Sequence, residues 1–196
     1  WRFSKDEVKL IAKVIKTGDS SSMSGSMNKI FENSFARTVG AKYAIAFNSG
    51  TSTLHAALHS LGVGYGDEVI VPALTVIADL NVIIAQNAIP VFADVDPYTF
   101  NIDPKDIEKK ITKKTKAIMC VHILGTSANM YKIKKISKLH NLLIIEDTCE
   151  SLGAKFNNKC LGTFGEFGTY SFYYSHQITS GEGGMIVCND KSNYNI

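Results

Sequence analysis

A single histidine near the carboxyl end of the chain stands before a glycine-rich loop. His176 occurs in "TYSFYYSHQITSGEGGMIVCND" (169–190), five residues after Ser171 and five before Gly181. Imidazole titrates near neutral pH, so a histidine in this setting could serve as a general base or acid. A lone histidine beside a glycine loop is more often structural, and its type and spacing leave both interpretations open.

The stretch "NSGTSTLHAAL" (48–58) combines a glycine with hydroxyl side chains where a strand is predicted to give way to a helix. Gly50 permits close approach of the backbone, while Thr51 and the free N–H groups of the first turn would face a ligand. A helix start of this kind binds phosphate groups well. Serine and threonine are also ordinary helix caps, which explains the stretch equally well. The "GxxxxGK" pattern of a P-loop does not occur in it.

A carboxylate, Asp147, ends the apolar run in "LLIIEDTCESLGA" (142–154). The carboxyl ends of parallel strands are where open α/β sheets bind ligands. A carboxylate there could keep a ring nitrogen protonated, as a pyridoxal-type cofactor requires in order to act as an electron sink. A turn or helix cap is the alternative for Asp147, and Ser171 could be a plain strand residue.

These residues need elements that bring them together, and the hydrophobic pattern predicts such elements from Tyr43 onward. The predicted strands are 43–47, 68–73, 89–95, 116–124, 142–147, 169–174 and 184–189, and helices are predicted to begin near Thr51, Thr75, Pro104 and Asn129. Several strands are apolar on both faces, which is typical of a parallel sheet covered by helices. The sequence therefore predicts the α/β class, with a mostly parallel central sheet flanked by helices.

Two further predictions concern single segments. The helix that begins near Asn129 is predicted to be amphipathic, with an apolar face made of Met130, Ile133, Ile136 and Leu139. The Ser/Gly-rich stretch 17–29 is predicted to be an exposed loop, and loops of this kind often border a ligand site.

Composition limits the class of protein. The chain has 196 residues, of which 45% are hydrophobic, and this suits one compact domain with a substantial core. The net charge is only +3, and the lysine pairs recur at helical spacing, which favours solvated helix faces over a nucleic-acid surface. No apolar stretch reaches membrane-spanning length. Four separated cysteines lack the spacing of a zinc site, so we expect reduced thiols in a cytoplasmic protein.

The other candidate groups are interpreted as structural. Four histidines lack support for a chemical role: His55, His59, His122 and His140. Asp94 and Asp96 stand two residues apart at a predicted strand end, where a turn before Pro97 explains them more simply than a metal pair does. No metal site is predicted.

Five motifs, in this order, resemble those of the DegT/DnrJ/EryC1/StrS family, the sugar aminotransferases that use pyridoxal 5′-phosphate (PLP). They are "NSGTSTLHAALHSLGVGYGDEVIVPALT", "IPVFADVDPYTFNIDP", "LLIIEDTCESLGA", "GTYSFYYSH" and "TSGEGGMIV". The resemblance covers essentially the whole chain. It implies a fold type I PLP-dependent transferase in which residues 1–196 are the large cofactor-binding domain. A smaller C-terminal domain and a homodimer would complete the enzyme.

In this family the position of His176 carries the lysine that attaches to PLP, and histidine there resembles the nucleotide-sugar 3-dehydratase subgroup. The resemblance implies a cofactor held without a covalent bond and a cycle that starts from pyridoxamine 5′-phosphate (PMP), with glutamate as a candidate amino donor. The substrate would be a 4-keto-6-deoxy nucleotide sugar of deoxysugar or polysaccharide biosynthesis. His176 would take the proton from C4′ of the cofactor and assist departure of the C3 hydroxyl.

The resemblance also implies six cofactor contacts, at Gly50, Thr51, Val76, Asp147, Glu150 and Ser171. Asp147 would pair with the pyridine nitrogen, and the phosphate would be held at Gly50, Thr51 and Ser171. Glu150 stands where relatives commonly place a glutamine that contacts the ring. Val76 departs from the family pattern, since an aromatic residue that stacks on the ring is common there.

Two other functions remain as alternatives. A nucleotide-sugar aminotransferase would need the lysine that is missing at His176. A non-catalytic protein with a degenerate site would have no reason to keep Gly50, Asp147 and Ser171 together.

Overall fold

The fold is built on a central β-sheet, seen in a computed structural model that describes residues 3–22 and 24–195. The strands in chain order are β1 (Tyr43–Phe47), β2 (Glu68–Pro72), β3 (Ile89–Ala93), β4 (Thr115–Val121), β5 (Leu143–Asp147), β6 (Lys155–Phe156), β7 (Lys159–Cys160), β8 (Phe167–Ser171) and β9 (Gly184–Cys188). Seven of these form one sheet in the order β1-β9-β8-β5-β4-β2-β3, while β6 and β7 pair separately. Only β9 runs antiparallel to its neighbours in this described sheet.

Helices connect the successive parallel strands from β1 to β5, and other helices precede β1 and follow β9. They are α1 (Lys5–Thr17), α2 (Ser26–Val39), α3 (Gly50–Ser60), α4 (Ile77–Ala85), α5 (Pro104–Lys110), α6 (Met130–His140) and α7 (Lys191–Tyr194). Polar caps define several of their starts: Ser49 accepts a backbone N–H of α3, Asp103 one of α5 and Asn129 one of α6. None of the helices in the described residues is long and apolar enough to cross a membrane.

The core lies on both faces of the sheet, because successive side chains of a strand point to opposite sides. In β2, Val69 and Val71 belong to the cluster that packs against α3 and α4, whereas Ile70 belongs to the cluster that packs against α5 and α6. All three side chains are fully buried. Each such side chain contributes about 1.5–3 kcal/mol of hydrophobic stabilisation. This double burial explains why the strands read as continuous apolar runs.

The α/β class, the mostly parallel sheet and the flanking helices are confirmed, but several bounds differ. The strand predicted at 116–124 ends at Val121, where the chain turns into a short 3-10 helix, Ile123–Gly125. The strand predicted at 169–174 is β8, which ends at Ser171. Both segments leave the sheet at its carboxyl edge, so the apolar residues after Val121 and Ser171 belong to loops and not to strands.

Two predictions about single segments hold only in part. Leu139 is 71% exposed, because α6 buries only Met130, Ile133 and Ile136. The stretch 17–29 is a loop only between α1 and α2, since α1 extends to Thr17 and α2 begins at Ser26. Met23, which belongs to the predicted stretch, lies outside the described residues.

Candidate active site

The connections that follow the parallel strands meet around one cavity of about 370 Å³ at the carboxyl edge of the sheet. The residues for which the sequence predicts ligand contacts all line it: Gly50, Thr51, Val76, Asp147, Glu150, Ser171 and His176. They lie at or after the ends of β1, β2, β5 and β8, which are distant in sequence but share this edge. The structure thus brings every predicted site residue to one place.

The start of α3 forms one wall of the cavity. Ser49 is the helix cap, with its Oγ accepting the Ser52 N–H at 3.1 Å and lying 2.9 Å from the Ser52 hydroxyl. Capping is therefore done by Ser49, and Thr51 is left exposed toward the cavity. The first turn of a helix also presents backbone N–H groups without intrahelical partners. Together these donors suit a phosphate group.

Gly50 is required for the approach of α3 to β8. A Cβ atom at Gly50 would lie 2.7 Å from the Ser171 Cβ and 3.0 Å from the Cys149 Sγ, so any other residue would push the helix start away. This close contact places the Ser171 hydroxyl beside the donors of α3. Ser171 also accepts the Tyr173 N–H at 3.2 Å, at the point where the chain leaves β8.

Asp147 is a buried carboxylate at the end of β5. It is 6% exposed and borders the cavity. Its Oδ1 accepts the Cys149 N–H at 2.9 Å, so the turn predicted as the alternative is present. That bond uses one acceptor position, which leaves the carboxylate able to accept from a ligand as well.

A second carboxyl group, Asp79 in α4, lies beside Asp147 and was not predicted to belong to the site. It is completely buried, and the Thr75 hydroxyl donates to its Oδ2. Burial, followed by the charge of Asp147, raises the pKa of Asp79 well above its usual range. The signal in the sequence is a single acidic residue within the otherwise apolar stretch "TVIADL".

Glu150 connects two loops of the site. Its Oε2 accepts the Leu124 N–H at 3.1 Å, and its backbone carbonyl accepts from the Gln177 Nε2 at 2.5 Å. Leu124 has a positive φ of 50°, a backbone conformation that is unfavourable for leucine. Glu150 therefore lines the cavity as expected, but its carboxylate also holds the 3-10 turn after β4.

His176 is half-buried and lies where two cavities meet. Besides the main cavity it lines a second one of about 370 Å³, together with Leu124, Glu150, Ser175 and Gln177. Its ring is 6.1 Å from that of Tyr173 in an edge-to-face arrangement, and its backbone N–H donates to the Tyr173 carbonyl at 3.1 Å. A histidine in this position can reach groups in either cavity.

The loop that carries His176 is tied to the sheet at both ends. Phe172 donates its N–H to the Gly183 carbonyl at 2.9 Å, and its own carbonyl accepts from the Ser180 N–H and the Thr179 hydroxyl. The Gln177 bond to Glu150 adds a third attachment. These contacts hold the histidine in place without a regular element.

The position of Val76 carries no aromatic ring. Val76 precedes α4, lines the cavity and is 50% exposed. It offers an aliphatic surface to a ligand.

Two of the residues interpreted as structural, His122 and Asp96, form contacts within the fold. His122 is buried against Glu146, with 3.1 Å between Nε2 and Oε2. Asp96 accepts the N–H groups of Tyr98 and Thr99, which makes it a turn residue. Within 3–22 and 24–195, no group of three or more histidine, cysteine or acidic side chains could hold a metal ion.

Comparison with known proteins identifies similar sequences and structures. A sequence profile of the DegT/DnrJ/EryC1/StrS aminotransferase family matches residues 2–196. A GDP-perosamine synthase of Escherichia coli O157:H7 is 48% identical over 173 residues, which is 88% of this chain and 48% of that protein. An aminotransferase from Psychrobacter cryohalolentis superposes with a TM-score of 0.96 at 38% identity, over 98% of this chain and 49% of that chain.

A second solved structure is E. coli GDP-4-keto-6-deoxy-D-mannose-3-dehydratase with bound hydrated PLP. It superposes with a TM-score of 0.92 at 37% identity, over 100% of this chain and 51% of that chain. The chain thus spans about half the length of the proteins it matches.

Proposed function

The chain belongs to the DegT/DnrJ/EryC1/StrS aminotransferase family, and from this premise we propose that it is the cofactor-binding part of a PLP- and PMP-dependent 3-dehydratase. Its substrate would be a 4-keto-6-deoxy nucleotide sugar. The proposal of dehydration, and not transamination, rests on one observation. His176 lines the cavity, and no lysine is among the cavity-lining residues in the described part of the chain. Residues 1–196 would be the large domain of a longer enzyme.

The cavity fits PLP or PMP in size and in chemistry. Its volume of about 370 Å³ lies within the range of small-molecule sites. The start of α3, with Gly50 against Ser171, suits the phosphate. Asp147 suits the ring nitrogen, since a buried carboxylate keeps such a nitrogen protonated. Bound there, the cofactor would act as an electron sink at the carbon that reacts.

The residues at the start of α3, together with Ser171, would bind and orient the phosphate of the ligand. The N–H groups at Gly50 and Thr51 and the hydroxyl groups of Thr51 and Ser171 would each donate to phosphate oxygens. A ligand held only by such contacts can dissociate, so its affinity depends on these donors. Gly50 matters most, because it alone lets the helix start come this close to β8.

His176 would move protons. A neutral imidazole accepts a proton, and the resulting imidazolium donates one, which is what removal of a hydroxyl group as water requires. The position of His176 between the two cavities supports this role, since the cofactor would occupy one cavity and the sugar would enter from the other. Glu150 and Gln177 would keep the loop in the orientation that this transfer needs.

An aminotransferase is the second candidate. The observation in its favour is the 48% identity to a GDP-perosamine synthase. A transamination cycle uses a lysine to attach the cofactor and return it to its starting form, and histidine cannot form that bond. Hence His176 favours dehydration, although the rest of the cavity would serve either reaction.

We also propose that the whole enzyme is a homodimer, with glutamate as a candidate amino donor. Several apolar side chains around the cavity are exposed, including Leu74 (44%), Ile77 (64%) and Leu124 (82%). Exposed apolar surface of this kind marks interfaces. A partner subunit or the remainder of the chain would cover it.

The test is a reaction of the full-length protein with PMP and GDP-4-keto-6-deoxymannose, followed by mass spectrometry of the sugar nucleotide. Dehydration yields a sugar that has lost one oxygen atom at C3, with PMP converted to PLP and ammonia. Transamination would instead replace the C4 carbonyl oxygen with an amino group. An unchanged sugar, with cofactor binding intact, would support a non-catalytic protein for this substrate class.

A further inference from the structure

A buried oxygen of Asp79 lacks a hydrogen-bond donor. Asp79 lies in the first turn of α4, and its side chain is fully buried. The Thr75 hydroxyl donates to Oδ2. The other oxygen, Oδ1, has no partner among the described residues. Buried polar atoms are nearly always paired, so this exception calls for an explanation.

A hydrogen bond between Asp79 and Asp147, with one proton between the two carboxyl groups, would explain why Oδ1 of Asp79 has no other donor. The charge of Asp147 and a side-chain hydrogen bond with it are both among the causes that raise the pKa of Asp79, so the two carboxyl groups are neighbours in the fold. Two ionised carboxylates can only accept hydrogen bonds, so a bond between them requires one of the two to be protonated. Adjacent like charges in a buried site also repel each other strongly, which opposes ionisation of both.

The burial of Asp79 and the charges around it indicate that Asp79, and not Asp147, carries the proton of the pair. Its pKa is raised first by burial and then by the charge of Asp147; the charge of Glu150 acts in the same direction, and the Thr75 hydroxyl opposes them. Asp147 already accepts a backbone N–H at its Oδ1, so it acts as a hydrogen-bond acceptor and Asp79 is left as the donor of the pair. Cys149 adds no charge, because burial raises the pKa of its thiol.

The ordinary role of an acidic residue in a first helical turn does not account for this arrangement. Such a residue stabilises the helix by placing a negative charge near the positive end of the dipole. That role needs an ionised carboxylate and no burial. Asp79 is instead buried against a second acid, where ionisation is disfavoured.

We propose that Asp79, as a neutral acid, is a positioning residue that donates its proton to Asp147 and holds Asp147 as an ionised acceptor facing the cavity. The ligand that Asp147 would meet there is the protonated ring nitrogen of PLP or PMP, and for this ligand the inference rests on the proposed function. The hydrogen bonds then run in one direction, from the Thr75 hydroxyl to Asp79 and from Asp79 to Asp147. The remaining acceptor positions of Asp147 stay available to the ring.

The first experiment needs no cofactor. Native Asp79 holds its proton more tightly than the unfolded chain does, so it lowers the free energy of unfolding as pH rises from about 3.9, the unfolded pKa, through the native pKa. Asp79→Asn keeps the shape but has no proton to lose. Urea unfolding of the full-length apoprotein at a series of pH values should therefore show wild type losing stability relative to Asp79→Asn as pH rises.

The same comparison in an Asp147→Asn background tests whether the two carboxyl groups interact. In Asp147→Asn the neighbouring charge is gone, so the pH-dependent difference caused by Asp79→Asn should become smaller. A difference that does not vary with pH, or one that is the same in both backgrounds, would overturn the inference.

The second experiment measures PLP affinity by absorbance titration. An asparagine at this position still donates an N–H to Asp147, so Asp79→Asn should bind PLP within about threefold of wild type. Asp79→Leu has similar volume without a donor and should bind about tenfold or more weakly, the loss expected for one hydrogen bond to a charged group. Equal affinity in both variants, whether high or low, would show that Asp79 is not a donor to Asp147.

The two experiments separate failure of this inference from failure of the proposed function. If wild type binds no PLP while the apoprotein shows the pH effect, the carboxyl pair exists and the proposed cofactor is wrong. If wild type binds PLP and the pH effect is missing, the cofactor stands and the role of Asp79 is wrong. The apoprotein measurement on Asp79→Asn also decides the matter should Asp79→Leu fail to fold.

Discussion

Replacement of Glu146 by glutamine should strongly destabilise the protein, because this buried carboxylate accepts four hydrogen bonds. The backbone N–H groups of Phe164 and Gly165 donate to Oε1 at 2.6 and 2.7 Å. The N–H of Gly162 donates to Oε2 at 2.8 Å, and the His122 Nε2 lies 3.1 Å from the same oxygen. The residue is completely buried, so water cannot replace any of these donors.

The tautomer of His122 follows from its second contact. Its Nδ1 accepts the Ala128 N–H at 3.1 Å, so the ring proton is on Nε2 and points to Glu146. All four partners of the carboxylate are therefore donors. Glutamine offers one oxygen and one NH₂ group, and the NH₂ group would face two N–H donors.

The expected loss is about 3–6 kcal/mol, the sum for two hydrogen bonds to a charged group at 1.5–3 kcal/mol each. This is a large part of the 5–15 kcal/mol that typically stabilises a domain. Urea unfolding of the full-length apoprotein near neutral pH, followed by circular dichroism, measures it. The 161–165 and 122–128 segments should lose their attachment to β5 together.

Glu166→Gln is the matched control. The Oε2 of Glu166 accepts the Ile144 N–H at 2.5 Å, and a glutamine oxygen can still accept this bond. We expect a loss below about 1 kcal/mol there. Similar small losses for both variants would refute the argument that the four donors require a carboxylate.

Four further predictions concern the cofactor site of the full-length protein. Borohydride treatment of the PLP-loaded protein should leave the cofactor removable by dialysis, and a stable adduct on a cavity lysine would contradict this. Asp147→Asn should keep the fold and lose most turnover; turnover within a few-fold of wild type would exclude its pairing role. His176→Asn should lower dehydration about 10²–10⁴-fold while PLP still binds, whereas His176→Lys should gain a linkage that borohydride reduces; unchanged dehydration in the first variant would assign the proton transfer to another group. Gly50→Ala should cost about 1–3 kcal/mol of stability and weaken PLP binding, because its methyl group overlaps Ser171; wild-type PLP affinity would refute that contact.

Much of the fold could be predicted because local pattern and tertiary environment agree. Strands such as β2 are buried on both faces, so β2 is apolar from Val69 to Pro72, and that run is visible in the sequence. The N-terminal helices were overlooked although their signals exist: Ser4 and Glu7 form a capping box, and Gly18 ends α1 with a positive φ of 69°. Leu139 shows the limit of periodicity, because the width of the buried face of α6 depends on what packs against it.

The site was predictable to the extent that its residues follow parallel strands. Gly50, Asp147 and Ser171 each stand at or just beyond the end of such a strand, and all parallel strands end at the same edge. Their types therefore pointed to a shared site before any contact was known. Its place after a strand was not enough to identify His176 as a site residue. Only its position within the motif "YSHQITSGEGG" distinguished it from an ordinary loop histidine.

By itself the sequence determined the class of fold, the family and the set of residues at the carboxyl edge, because these depend on the order of apolar runs and on short motifs. Only the tertiary structure decided how these residues are held. Asp79 and Asp147 are 68 positions apart by their numbers, yet the fold brings them near enough for the charge of Asp147 to raise the pKa of Asp79. Glu150 and Gln177 likewise meet across two loops. Such pairings depend on three-dimensional packing. Only after packing has excluded water from the site is the pKa of Asp79 raised and its Oδ1 left without a hydrogen-bond donor.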